Sequence, residues 1–343
     1  MKEFRLSFFV TLVCLALSAY WGETRGMGAG AAVLLAAALG VMEVSLSFDN
    51  AVVNASVLKT MAEKWQQIFL TVGILIAVFG MRLFFPIAIV AIATGLGMVE
   101  VGRMALEQPE IYSEHLAASH VGIAAFGGMF LWMVFLSFLF DRQKELHWLG
   151  ALEKKCADWG RIESIGVLLA LSTLFGLYLW LPVGEGVKLT LLGAGLGGVI
   201  LFLAVRALDA FFVDEAAGEQ TVRLVQRNGV TAFLYLEVLD TSFSFDGVIG
   251  AFAITRDVVL IMLGLAIGAM FVRSLTVHLV RKGTLDEYVF LEHGAHYAIG
   301  ALALIMLAGM VAHVPEIVTG LIGVAFIGLA LLSSLRHKKR QPG

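Results

Sequence analysis

Apolar residues run along this chain in blocks too long for the helices of a soluble protein, and polar residues are confined to the gaps between them. With about 20 apolar residues per crossing of a bilayer core, ten spans are expected, at residues 6–21, 28–57, 66–98, 119–140, 164–182, 188–205, 229–255, 257–280, 294–312 and 316–335. The second and third exceed a straight single crossing. Each is expected to tilt, to extend beyond the bilayer or to break, and Pro86 offers a kink point in the third.

The gaps supply an independent check. Those on the N-terminal side hold 18 Lys and Arg residues, whereas the opposite side holds 4, Arg25, Arg103, Lys188 and Arg256. Only Arg82 and Arg273 fall inside apolar runs. A miscounted span would scramble that alternation, so the bias favours ten crossings with both termini in the cytoplasm of a cell whose inner membrane holds the chain. Lys2 and Arg5 ahead of Leu6 to Leu17 also fit a secretory leader with a poor cleavage site at Ala16-Leu-Ser18. The alternation is better satisfied if the segment is retained.

Composition agrees. Hydrophobic residues make up 59% and charged residues 15%, mean hydropathy is +0.89, and a soluble domain would carry about 25% charged residues. No nucleic-acid partner is expected. The formal net charge of -3 says little, because charge in such a chain is informative by position. Cys14 and Cys156 have neither metal-ligand spacing nor a disulfide framework.

Within the second and seventh spans the same acidic phrase recurs: Glu43-Val-Ser-Leu-Ser-Phe-Asp49-Asn50 and Asp240-Thr-Ser-Phe-Ser-Phe-Asp246-Gly247. An odd number of crossings separates the two, so the helices run antiparallel and any repeat they head is inverted, a recurrent transporter architecture. The spacing from Gly73 to Arg82 returns from Gly264 to Arg273, and His120-Val-Gly-Ile-Ala-Ala resembles His296-Tyr-Ala-Ile-Gly-Ala. The expected fold is therefore all-α and polytopic, with about ten transmembrane helices on two inverted three-helix repeats. Its expected parts are a first helix and loop (1–27), repeat 1 (28–140), a connector with two helices and charged cytoplasmic loops (141–228), repeat 2 (229–312), and a last helix with the basic tail Arg336 to Arg340 (313–343).

Acids within a span are costly and mark ion or proton pathways. At about 1.5 Å per residue, Glu43 and Asp240 both fall near the middle of a ~30 Å core, so the phrases can meet. Acids six apart lie about 240° apart on a helical wheel, so either they face different neighbours or the helix is unwound between them. Glu43, Ser47, Asn50 and Asn54 form a stripe of oxygen-bearing side chains along one face, and Glu237 adds a fifth acid one turn before Asp240. Carboxylates, hydroxyls and amides without cysteine suit Mg, Ca or Mn. His120, His293 and His296 would shift that preference toward a first-row metal if they reach the site. A proton relay, or plain ion pairs with Arg82 or Arg273, would use the same acids.

The phrases, an intramembrane arginine after each, and Ala253-Ile-Thr together resemble the TerC (tellurium-resistance) integral membrane family. With Glu292-His-Gly-Ala-His296-Tyr, the chain is more closely similar to a bacterial subgroup of that family without known function. The resemblance covers roughly 28–312 and implies a LysE-type exporter of metal ions, manganese foremost, with the phrase acids as ligands. Gly247 departs from the serine common there and removes one potential oxygen ligand.

The expectation is a divalent-cation exporter, Mn²⁺ its cargo, in which Glu43, Asp49, Asp240 and Asp246 bind the ion and Asn50 and Glu237 assist. Arg82 and Arg273 would balance the empty cage, and a proton could replace the metal on return. No Gly-x-x-x-x-Gly-Lys-Ser/Thr is present. Two rivals remain: a non-transporting scaffold of a stress-response complex, and an intramembrane hydrolase using two aspartates. The latter lacks a Gly-x-Gly-Asp setting and a His-Glu-x-x-His helix, so no enzymatic activity is expected.

Overall fold

The computed structural model of the chain describes residues 4–59, 61–73, 75–162, 164–211, 229–283, 287–312 and 314–340. Among them all regular secondary structure is helical. Among the described residues eight helices are long and apolar enough to cross a membrane, running from Arg5–Thr24 to Val318–Lys339, so the chain is a multi-pass membrane protein. At the other two places where a span was expected stand the 16-residue apolar helix Ile165–Trp180 and the 26-residue helix Gly229–Ile254. The latter carries Glu237, Asp240 and Asp246. Large apolar side chains face outward along these helices, Ile92 at 84% exposure and Trp180 at 86%. That is the surface lipid requires and water would penalise.

By packing, the chain divides into two units. The first comprises Met1–Ala55, Glu63–His120 and Leu236–Lys282; the second comprises Ser56–Ala62, Val121–Tyr235 and Gly283–Gly343.

The first unit begins with α1 (Arg5–Thr24) and α2 (Ala29–Leu46), which fold back on each other. Gly26 and Gly28 make the turn with φ of 72° and 88°, values that side-chain-bearing residues rarely adopt. α3 (Phe48–Leu58, in this unit up to Ala55) follows a single residue later. The third expected span is made of α4 (Glu63–Ile68), π-helical turns over Phe69–Gly73 and Ile76–Phe84, and α5 (Phe85–Thr94). Pro86 bears on the end of this stretch. In an α-helix its ring would press on the carbonyl four residues back, that of Arg82. The turns before it are instead wound more widely, ending with Phe85 N–H on the Gly80 carbonyl five residues back. Pro86 itself stands at the start of α5, directly after the π turns.

Two short amphipathic helices, α6 (Met98–Glu107) and α7 (Pro109–Ala118), bury Val101, Ala105, Tyr112 and Leu116. The unit is completed by the later part of α12 (Gly229–Ile254) and by α13 (Val258–Arg281). Asp257 caps α13, accepting from the amides of Val259 and Leu260, and also accepts from Trp21 Nε1 at 2.8 Å. Ser7 donates to the Met270 carbonyl at 2.7 Å, and with Trp21 against Asp257 at the other end this makes α1 and α13 antiparallel. α2 and α13 run in the same direction, because Gly264 lies against Ala36 and Gly268 against Gly40 and Glu43. Ala32, Ala36 and Gly40 repeat every four residues and are buried, and such small residues let two backbones approach closely.

The second unit contains α8 (His120–Leu139, from Val121 onward), α9 (Ala151–Trp159), α10 (Ile165–Trp180), α11 (Glu185–Phe211), α14 (Leu291–Gly309) and α15 (Glu316–Arg340). Glycines again mark its close approaches, Gly300 beneath the Phe135 ring and Gly294 against the Phe326 carbonyl. α9 is held down by Glu153, whose buried carboxylate accepts from Lys144 Nζ at 2.8 Å and from Leu149 N–H at 3.1 Å.

Candidate functional site

The helix carrying the first acidic phrase is interrupted within it. Ser47 stands between α2 and α3 at φ −103°, ψ 17°, while its N–H still reaches the Glu43 carbonyl at 3.0 Å. Glu43, Ser47, Asn50 and Asn54 are all buried, between 1% and 5% exposed. The second phrase, despite its matching Ser-x-Ser-Phe core, lies inside an unbroken helix.

Glu43 is held from several sides. Its carboxylate pairs with the Arg82 guanidinium and accepts from Ser47 Oγ at 3.2 Å. Arg82 also donates through Nη1 to the Ala77 carbonyl at 2.7 Å, so the π turn itself steers the side chain. Gly268 leaves the space that the Glu43 stem occupies, and Gly247 faces its Oε2.

Beside this pair lies a cavity of about 40 Å³, lined by Ser47 and Asn54, by the π turns including Arg82, by Glu237 and Asp240, and by Arg273 and Thr276 of α13. Thr241 Oγ1 lies 2.6 Å from the Glu237 carbonyl and 3.0 Å from Met81 Sδ, tying α12 to the π segment. Four buried oxygens of the lining receive no hydrogen bond from the protein: both carboxylate oxygens of Glu237, Oδ2 of Asp240 and Oδ1 of Asn54. Leaving such atoms unpaired in a dry interior is costly, and all four belong to residues that line the same cavity.

The structure therefore brings Glu43, Glu237 and Asp240 into one unit with Asn50, which is 4% exposed. The side chains of Asp49 and Asp246 lie outside the described residues. Among the described residues no three His, Cys, Asp or Glu side chains group as a metal site. Asn54 stood on the polar stripe in the sequence but not in the expected ligand set, and Glu237, expected as an assisting residue, has both its oxygens buried and unbonded beside the cavity.

His293 and His296 are engaged within the second unit. Nε2 of His293 lies 3.0 Å from the Leu146 carbonyl, and His296 stacks on Phe138 at 4.1 Å with Nδ1 2.9 Å from the Glu292 carbonyl. Both cysteines are free thiols.

An all-helical, multi-pass membrane protein with buried acids and a paired arginine is the class these features define. A family profile described as "Protein of unknown function (DUF475)" matches residues 48–341, and the chain belongs to that family. Neither the curated proteins nor the solved structures give a match.

Proposed function

We propose that this protein is an inner-membrane exporter of a divalent cation, with Mn²⁺ as its cargo and the cavity beside Glu43 and Arg82 as its binding site. The observation that carries the reading is the set of four unbonded oxygens from Glu237, Asp240 and Asn54 around a space of about 40 Å³. A cavity of about 10–15 Å³ on this measure holds one water, so the space admits one ion with part of its hydration. Oxygen-only donors suit Mn²⁺, Mg²⁺ or Ca²⁺, and the likeness to the TerC family selects manganese. Glu43, Asp49, Asp240 and Asp246 supply charge in this scheme, with Asn50 and Glu237 completing the ligand set.

Ten spans with cytoplasmic termini and an inverted repeat complete the proposal. Supporting it, α2 and α13 run in the same direction, as the second and eighth of ten crossings must. α12, joined to α13 through Thr255–Asp257 alone, then runs against α2. No step requires bond chemistry, so the protein is proposed as a carrier and not an enzyme.

The test is cellular metal content by mass spectrometry after induced expression. Wild type should lower cell manganese, whereas Glu237→Gln and Asp240→Asn should not. An unchanged content of every divalent metal would remove the transport reading and favour the scaffold.

A further inference from the structure

Arg82 occupies the charge of Glu43 as a bound cation would, and it does so from a stretch of unusual winding. An α-helix closes each turn on the fourth residue back and a π turn on the fifth. Converting one π turn to α therefore moves every residue beyond it by one position, about 100° around the axis. Arg82 lies near the end of the π segment Ile76–Phe84, so one such conversion ahead of it would carry the guanidinium off the Glu43 carboxylate. Two local contacts accompany the wide winding: the Arg82 Nη1 bond to the Ala77 carbonyl, and Pro86, whose ring opposes the Arg82 carbonyl in α geometry. The segment also forms one wall of the cavity through Ala77, Val78 and Arg82. Winding, counter-charge and cargo space are thus properties of one element.

We propose that Ile76–Phe84 is a switch in which Arg82 serves as a tethered substitute for the cargo. In the π state the guanidinium holds Glu43; rewinding one turn to α withdraws it and releases the carboxylate to the metal ion. This rests on the transport reading above and adds how the site alternates between filled and empty without stranding a buried charge. A lone carboxylate in this interior would be strongly unfavourable, and under the proposal Glu43 always has either Arg82 or the ion.

The experiment uses the full chain in lipid nanodiscs, with Mn²⁺ binding followed by the loss of the free-ion electron-spin signal and by amide hydrogen exchange of peptides covering Ile76–Phe84. Mn²⁺ should slow exchange in that segment about tenfold, a usual size for coupling between two states. Pro86→Ala, which relieves the bar to α winding, should bind Mn²⁺ about tenfold more tightly, because the competent state no longer has to be selected from a minor population. Arg82→Gln keeps Pro86 and should also gain affinity, which serves if the proline variant does not fold. Binding by wild type with unchanged exchange in Ile76–Phe84 would overturn the switch and leave the transport reading standing. No Mn²⁺ binding by wild type would overturn both.

Discussion

Gly247 of α12 stands against the carboxylate of Glu43, so closely that a Cβ on it would fall 2.6 Å from Oε2. The glycine is therefore a spatial requirement of the first acidic phrase, imposed by the second. Gly247→Ala would gain up to ~1 kcal/mol in helix propensity and would displace only the far end of a flexible side chain. Its unfolding temperature in detergent should stay close to that of wild type. The carboxylate keeps Arg82 and Ser47 on its Oε1 while its Oε2 is pushed out of place, and Mn²⁺ affinity should fall by ~10–100-fold, as for other losses of site support. Titration of the two proteins side by side decides the matter; equal affinities would mean that Glu43 takes no part in binding.

The contact between α2 and α13 gives a stability prediction. A Cβ on Gly264 would meet Leu39 Cβ and stand 3.0 Å from the Ala36 carbonyl, and one on Gly40 would lie 2.9 Å from Ile267 Cγ2. At Gly264 backbone is the obstacle, so relief requires the helices to part. Gly264→Ala should destabilise by ~1–3 kcal/mol, the usual cost of overpacking. Gly102→Ala, in α6 with open space around it, should be neutral or stabilising by up to ~1 kcal/mol. Thermal unfolding of both variants provides the comparison.

Much of this site was legible because charge is conspicuous in an apolar run. Glu43, Asp240 and Arg82 stand out by residue type alone, and the four-residue stripe from Glu43 to Asn54 is buried as its spacing predicts. Less was legible where one segment's state depends on another. Both phrases share Ser-x-Ser-Phe, yet only the first helix breaks, at Ser47, so local sequence underdetermines the winding. Pro86 announced a disturbance, but whether a helix kinks or widens depends on what packs beside it. The small residues Ala32, Ala36 and Gly40 mark a contact face without naming α13 as the partner. Whether His293 and His296 reach the acids was open in the sequence, because their surroundings are set by Leu146, Phe138 and the Glu292 carbonyl, contacts made across long sequence separations or by backbone.

The Glu43–Arg82 pair should behave non-additively. Each partner is nearly inaccessible, at 1% and 4% side-chain exposure, so removing one leaves the other charged and uncompensated. Glu43→Gln and Arg82→Gln should each cost ~3–5 kcal/mol, whereas the double variant should be more stable than the sum of the two predicts. Mn²⁺ should restore part of the stability of Arg82→Gln, where the freed carboxylate remains, and none to Glu43→Gln. A strictly additive cycle, measured by unfolding of the full chain, would show that the two side chains do not share a charge balance.

Glu153 predicts how α9 responds to acid. Burial alone would raise its pKa, but the hydrogen bond from Lys144, the Leu149 amide, and the charges of Lys144 and of protonated His293 together bring it below the ordinary glutamate value of 4.5. A carboxyl whose pKa is lower in the folded state contributes stability that is fully present above the unfolded value and is lost as pH falls through the folded one. The docking of α9 should therefore persist from neutral pH down to 4.5 and weaken only below it. Amide exchange of peptides from Lys144 to Trp159, followed across that range, should show protection lost in the acid limb. Glu153→Gln should give lower protection with no acid limb. Protection that stays unchanged through the acid limb would mean that Glu153 does not anchor α9.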